Sequence, residues 1–218
     1  MSTLLALALL AALGNARLQD SKPAQAQAVG VRPYNINSCV SEVRLTDVEG
    51  KERVLFADGD AKPVVLVFWS YRDPISRYYL KQLTEMQAKY ADKLTVYLVD
   101  SNHDELVING DAVAKLREVV KNESISLPLL LDKENRVADD YRAVNNAQAF
   151  LIDANHILRY KGGIDDDPRG ERRKQGIAVL YHLEKAIDIS LKGEKPDNDW
   201  TMAAGRPIRR TPAASGKK

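Results

Sequence analysis

The clearest pattern in the chain is an uninterrupted apolar run from Val64 to Trp69, followed by a helical pattern. A run of this kind, rich in β-branched residues, predicts a central strand buried on both faces. Apolar side chains then recur at helical spacing, which predicts a helix that packs one face onto the sheet. These side chains are Ile75, Tyr79, Leu83, Met86 and Tyr90. Asp73 suits the N-cap position and Pro74 the first turn, so the helix is predicted to begin there.

Further strands and helices are predicted on both sides of this unit. Alternating residues around the turn Glu49-Gly50 predict an N-terminal β-hairpin over residues 43–47 and 53–55. Short apolar runs predict four more strands, the last two as a hairpin. These runs cover residues 94–99, 129–131, 149–152 and 157–160. Strands that alternate with helices and then form a hairpin predict an α/β sandwich around a mixed sheet.

Three more helices are predicted between and after these strands. Asp111 is a candidate cap for the first, and residues 137–141 form the second. The last helix is predicted over residues 176–192, with Gly193 as its stop. Its inward side chains are Leu180, Leu183, Ile187 and Leu191.

The residues after the central strand resemble the active-site segment of a known family. Val-Phe-Trp-Ser-Tyr-Arg-Asp-Pro-Ile-Ser, residues 67–76, is similar to the segment of the redoxin branch of the thioredoxin-like superfamily in which Cys-Pro-x-x follows the central strand. This branch includes alkyl hydroperoxide reductase and thiol-specific antioxidant (AhpC/TSA-like) proteins. Other segments resemble the family's strand before the variable helix, its Thr-Pro segment, its Tyr-x-Gly-x-Ile-Asp-Asp segment and its Gly-Cys-Pro-Ile ending. They are Leu127–Asp132, Tyr141–Asp153, Tyr160–Asp166 and Gly205–Ile208.

The resemblance covers most of residues 40 to 210 and implies a thioredoxin-like sandwich. In this fold class a central mixed β-sheet is flanked by helices, here with the N-terminal β-hairpin as an extension. The same alignment identifies degenerate active-site positions. Asp73 stands in place of the reactive Cys, Ser76 in place of a second Cys, and Asn146 and Ala147 in place of Thr and the cis-proline. Because thiolate is the nucleophile of redoxin chemistry, these replacements favour a pseudoenzyme with no catalytic residues.

Two enzymatic alternatives stay open beside this interpretation. The family resemblance alone implies a thiol oxidoreductase or peroxiredoxin-like antioxidant, but Cys39 is the single cysteine and precludes an intramolecular disulfide. Cys39 lies far in sequence from the helix end and is interpreted as a buried or incidental thiol. The other alternative is a non-redox enzyme that uses Asp73 with His103, which requires the two to lie within hydrogen-bonding reach. Ser76 has no activating base beside it in sequence.

A shallow cleft is expected at the helix end. Its candidate lining residues are Trp69, Tyr71, Arg72 and Tyr78, together with Asn146. Aromatic and Arg side chains suit a protein partner, so another protein is expected at the former active-site cleft. Trp69 equally suits the core, because it ends a buried strand.

We expect neither a cofactor nor a metal. The acidic run Asp165–Asp167 lacks the Gly and the distal Glu of the twelve-residue calcium loop. It is interpreted as a solvated acidic turn balanced by basic residues. These are Lys161, Arg169, Arg172 and Arg173.

The balance of charges and the N-terminal residues bear on location and partners. The 218 residues carry 32 Lys and Arg against 30 Asp and Glu, a net charge of +2, which gives no electrostatic case for nucleic acid. The run from Leu4 to Leu13 is shorter than the roughly 20 residues that span a bilayer. Followed by Gly14-Asn15-Ala16, it fits a signal-peptide core with small residues at the cleavage site.

This gives a prediction of four segments. Residues 1–16 form a signal peptide, 17–38 a linker or N-terminal arm, 39–193 the thioredoxin-like domain and 194–218 a basic, solvated C-terminal tail. The protein is then exported, to the periplasm or the extracellular space, and is free of disulfides. If the N-terminal segment is not a signal, the location is cytoplasmic, and membrane attachment is expected only through an uncleaved N-terminus.

Overall fold

A central strand with a helix after it organises the fold, as the hydrophobic pattern predicts. The structure, a computed structural model, describes residues 33–59, 61–107 and 111–212, which belong to one compact unit. The described strands are β1 (Val43–Asp47), β2 (Glu52–Leu55), β3 (Val64–Phe68), β4 (Thr95–Asp100), β5 (Leu129–Leu131), β6 (Ala149–Ile152) and β7 (Leu158–Gly162). The described helices are α1 (Pro74–Lys89), α2 (His103–Leu106), α3 (Ala112–Asn122), α4 (Arg136–Asp140), α5 (Glu171–Lys174) and α6 (His182–Ser190).

Within the described residues the strands form one mixed sheet in the order β2-β1-β5-β4-β3-β6-β7. The three strands β3, β4 and β5 are parallel, whereas β1 and β2 on one side and β6 and β7 on the other pair antiparallel. This arrangement confirms the predicted mixed sheet and the N-terminal hairpin. Because β3 and β4 are parallel, their carboxyl ends meet at one edge of the sheet, and the candidate site lies there.

Two hydrophobic clusters cover the two faces of the sheet. Val65 and Val67 of β3 belong to one cluster, together with buried residues of α1, α3 and α6. Leu66 and Phe68 belong to the other, together with residues of α4. Alternate residues of β3 therefore point into opposite halves of the core, which confirms a strand buried on both faces.

The last helix differs from its prediction. It begins at His182 rather than at Gly176, which adopts a left-handed conformation (φ +69°) after the short helix α5. Leu180 is 60% exposed, since its backbone N–H donates to the Asp166 carboxylate and its carbonyl accepts from the Asp166 N–H. These bonds hold residue 180 outside the helix. Leu183 and Ile187 are buried as predicted.

Predictions for the first 32 residues lie outside the described part of the chain. The signal peptide and most of the linker are therefore still predictions, as are the boundaries of the domain. In the described ranges, we find no helix that combines the length and apolar character needed to cross a membrane.

Candidate functional site

Asp73 follows β3 after a turn of four residues, 69–72, and caps α1. It is 1% exposed, and its Oδ2 accepts hydrogen bonds from the backbone N–H of Ser76 at 2.8 Å and from the Ser76 hydroxyl at 2.9 Å. The backbone N–H of Arg206 donates to Oδ1 at 3.2 Å. The predicted N-cap is confirmed, and both carboxylate oxygens are engaged within the protein.

Ser76 is as deeply buried as Asp73, being 1% exposed. Its hydroxyl donates to the Asp73 carboxylate, so its partner is a carboxylate and not an imidazole. The pair stands where the aligned family has Cys-x-x-Cys, and the tips of the two side chains are in contact.

The loop that replaces the family's Thr-Pro segment lies against the same helix end. Asn146 is buried, and its side chain exchanges hydrogen bonds with Asn102 (3.1 and 3.3 Å) and donates to the Arg206 carbonyl (3.1 Å). Ala147 is buried in a left-handed conformation (φ +60°), and its N–H donates to the Phe68 carbonyl. Arg206 contacts both Asp73 and Asn146, so the degenerate positions do come together.

Residues 205–211, near the end of the described part of the chain, cross this site as an extended segment that we call the C-terminal strap. The Asn146 N–H donates to the Arg206 carbonyl at 2.8 Å, and the Ile208 N–H donates to the Val144 carbonyl at 2.9 Å. Ile208 is 7% exposed and belongs to one of the two core clusters. At the far end, Thr211 donates through its N–H and its hydroxyl to the Asn135 side chain. These contacts differ from the solvated tail that is expected over residues 194–218.

Sequence reasoning missed the strap because an extended segment without apolar periodicity gives no secondary-structure signal. One signal was available: Gly205–Ile208 resembles the Gly-Cys-Pro-Ile ending of the family. The structure places residue 206, where that ending has its Cys, against residue 73, where the family has its reactive Cys.

A second polar layer lies behind the strap at the end of β4. Asp100 and Glu105 are 0% and 3% exposed. Burial, together with the nearby charge of Glu105, raises the pKa of Asp100 well above its usual range, and burial also raises the pKa of Glu105. Asp132 lies one strand further on, and burial raises the pKa of its carboxyl despite hydrogen bonds from Ala138, Ser101 and Val137.

The candidate cleft residues have different surroundings in the structure. Trp69 is completely buried in the core, so its assignment to a cleft is wrong. Arg72 pairs with Asp104 at 2.7 Å and lies near the ring of Tyr71, whereas Tyr78 accepts a hydrogen bond from Arg173 beside α5. A cavity of about 680 Å³ does lie beside Asp73. It is lined by Asp73, Pro74, Ile75, Asp166, Asp167, Pro168, Arg169, Glu171, Arg172, Ala204, Gly205 and Arg206.

The acidic run is not a solvated turn. Asp165 and Asp167 are 5% and 3% exposed, and both pair with Arg173, at 2.5 and 3.1 Å. The Tyr79 hydroxyl also donates to Asp165, which ties this loop to α1. The balancing role of Arg173 is as predicted, but the run is a buried structural network. No cluster of metal-ligating side chains occurs in the described ranges.

Cys39 lies at the opposite end of the sheet. Its backbone forms an isolated β-bridge with Ile157. Ile157 follows the end of β6, where Ile152 pairs with Val64, the first residue of β3. Asp73 follows the last residue of β3, so the five-residue strand, roughly 16 Å long at about 3.3 Å per residue, separates the two ends. Of the two predicted alternatives, a buried or an incidental thiol, the exposure of Cys39 excludes the buried one, and Cys39 forms no disulfide.

Comparisons with known proteins agree with this architecture. The sequence profile of the AhpC/TSA family matches residues 36–161, which confirms the resemblance. A hypothetical protein from Sinorhizobium meliloti 1021 is similar in structure, with a TM-score of 0.69, 24% identity and coverage of 83% of this chain and 97% of that one. An uncharacterized conserved protein from Geobacillus kaustophilus gives a TM-score of 0.71 at 20% identity, covering 84% and 96%.

A more distant structural match is named after thiol-disulfide exchange. A putative thiol:disulfide interchange protein DsbE from Chlorobium tepidum gives a TM-score of 0.51 at 17% identity, covering 65% of this chain and 95% of that one. At this identity the likeness shows the thioredoxin-like fold alone. No protein of curated function matches the chain significantly.

Proposed function

This chain belongs to the AhpC/TSA family, and we propose that it is a member without thiol chemistry that acts as a non-catalytic binding or structural module of the cell envelope. The observation that carries the proposal is the position of Asp73 and its hydrogen bonds within the protein. A carboxylate stands where the family's reactive Cys would be, and its oxygens accept three hydrogen bonds from Ser76 and Arg206. It caps the helix and anchors the strap.

The first alternative, a thiol oxidoreductase or antioxidant, needs a thiolate at the helix N-terminus, where the dipole and free N–H groups favour it. In this chain the Ser76 N–H is bound to Asp73, and the lone thiol of Cys39 lies at the other end of β3. These observations favour a member without redox activity.

The second alternative, an enzyme that uses Asp73 with His103, receives no support from the contacts. Asp73 is bonded to Ser76 and Arg206, and the His103 backbone N–H donates to the carbonyl of Arg209. Each of the two residues is thus bonded to the strap and not to the other, and Nδ1 of His103 has no hydrogen-bond partner among the described residues.

The partner in this proposal is another protein that docks over the former active site. The strap presents the exposed residues Arg206 and Arg209 at this edge, and the 680 Å³ cavity opens next to Arg206. Arg is a residue type enriched in protein interfaces. Location in the cell envelope is part of the proposal and rests on the apolar run Leu4–Leu13.

Assays of thiol chemistry test the proposal directly. The purified protein should neither reduce insulin disulfides nor consume hydroperoxide with a dithiol donor, and Cys39→Ser should give the same background rate. The double variant Asp73→Cys/Ser76→Cys is the matched control, because it restores cysteines at the two positions where the aligned family has them. Because the two native side chains already touch, its thiols should form a disulfide under mild oxidation. Turnover by the parent protein that disappears in Cys39→Ser would contradict the proposal.

A further inference from the structure

Asp100 and Glu105 form a pair of buried carboxyl groups behind the strap. The Asp100 Oδ1 accepts from the N–H and the side-chain amide of Asn102, at 2.8 and 2.9 Å. The Glu105 Oε1 accepts from the Ser70 hydroxyl at 2.5 Å. The second oxygen of each carboxyl group has no donor among the described residues, and the two side chains lie within hydrogen-bonding reach of each other.

Such a pair retains one proton, because two ionised carboxylates cannot share a buried site without strong repulsion. A protonated carboxyl group also supplies the donor that the second oxygen otherwise lacks. None of the ion pairs between described residues includes either group. A retained proton therefore favours this arrangement over two ionised carboxylates.

Other charged groups around the pair leave this conclusion unchanged. Arg72 and Asp104 act on Glu105 with opposite signs and are themselves paired at 2.7 Å. Asp132, on the side of β5, accepts from Ser101 and interacts with Arg210. His103 belongs to the same turn, and its backbone N–H is bonded to the strap.

The turn that carries the pair also holds the strap. Asn102, which donates to Asp100, accepts the Arg209 N–H on its side-chain oxygen at 3.1 Å. The next residue, His103, donates its N–H to the Arg209 carbonyl at 2.8 Å. Both the N–H and the carbonyl of Arg209 are therefore hydrogen-bonded to residues that lie between Asp100 and Glu105 in the chain. A change in the distance between Asp100 and Glu105 would be transmitted to the strap through Arg209.

We propose that the proton shared by Asp100 and Glu105 is a latch that keeps the C-terminal strap closed over the former active site. When the proton leaves to solvent, repulsion between the two carboxylates displaces the turn, the strap detaches at Arg209, and the surface around Asp73 and Asn146 opens. This rests on the proposed function in assigning regulation to that same docking site. The strap is closed at acidic pH and opens as pH rises above the ordinary carboxyl range.

Hydrogen exchange of the full chain tests the latch without any partner. The strap amides of Arg206, Ile208 and Arg209 are hydrogen-bonded, and the amides of β3 serve as a core reference in the same sample. After correction for the intrinsic pH dependence of exchange, strap protection should fall about ten-fold per pH unit once the shared proton is lost. Protection in β3 should stay constant.

The variant Glu105→Gln supplies an amide donor to Asp100 that does not titrate, so its strap should stay protected across the range. Asp100→Asn is the second variant, used if Glu105→Gln does not fold, and exposed Glu85→Gln is the matched control that should behave like the parent. Equal pH dependence in the parent and in the pair variant that folds would overturn the latch. So would a parallel loss of protection in β3, which indicates global unfolding. Because thiol assays and partner binding are not used, failure here leaves the proposed function standing.

Discussion

At the scale of single residues, the main change relative to the aligned family is the exchange of a thiol for a carboxylate at position 73. The N-terminus of a helix stabilises either anion, because its free N–H groups and its dipole favour negative charge. A thiolate left free to react is a nucleophile, whereas the Asp73 carboxylate is bonded to Ser76 and Arg206. The same helix N-terminus thus holds a carboxylate that joins α1 to the strap, a structural joint in place of a nucleophile.

Removing this joint should cost stability. Asp73→Ala deletes the cap and leaves the N–H and hydroxyl of buried Ser76 and the N–H of Arg206 without their acceptor, so we expect unfolding free energy to fall by about 2 kcal/mol. Asp73→Asn keeps one acceptor oxygen and should cost less. Asp111→Ala is the matched control, because Asp111 holds the N-cap position of α3 without a side-chain cap hydrogen bond. Equal denaturation midpoints for the two Ala variants would show that Asp73 does not act as a cap.

Asp73 and Asp111 also show where sequence reasoning reaches its limit. Both precede a helical pattern and both were predicted to cap, yet only the Asp73 side chain accepts an N–H of its helix. Residue type and spacing identify a cap position, whereas the backbone approach to it decides whether the bond forms. Burial of Asp165 and Asp167 was likewise missed, because Arg173 and Tyr79 become their partners only in the folded chain.

At the scale of elements, strands and long helices were predicted well and irregular segments poorly. The apolar run of β3 and the helical spacing in α1 are strong local signals, and both elements form as expected. The spacing of Leu180 predicts a helix that includes residues 176–181, but hydrogen bonds to Asp166 hold Leu180 outside the helix. The strap has no periodicity, and only contacts with residues distant in sequence define it.

The fit of the strap against the loop at Asn146 makes a sharp prediction at Gly205. A Cβ there would lie 2.1 Å from the Asn146 carbonyl oxygen, and φ is +121°, so Gly205→Ala should displace the strap. Gly176→Ala is the matched control, since Gly176 also has a positive φ but no atom within 4 Å of the added Cβ. Both variants carry the backbone cost, and Gly205→Ala should lose roughly 1 to 3 kcal/mol more through overpacking. Equal losses in urea unfolding would show that the strap is not packed here.

At the scale of the whole molecule, the two ends of the parallel strands have different roles. The carboxyl end carries Asp73, Asn146 and the strap, whereas the amino end of β3 faces the exposed Cys39. The single thiol is therefore placed where the family's chemistry does not take place. Sequence alone could not establish this, since the separation depends on the antiparallel pairing of β6 with β3.

Export is the prediction that concerns the location of the molecule, and it depends on the first sixteen residues. Leu4–Leu13 has the length and apolar character of a signal-peptide core, and Gly14-Asn15-Ala16 offers small residues at the cleavage site. Mass spectrometry of the protein from its native host should therefore find a mature chain that begins near Arg17. A charge within the core should block processing, so Leu7→Arg should accumulate at full length, whereas Gln25→Arg, beyond the cleavage site, should be processed normally. An intact Met1 terminus on soluble cytoplasmic protein would contradict export and would place the proposed docking site inside the cell.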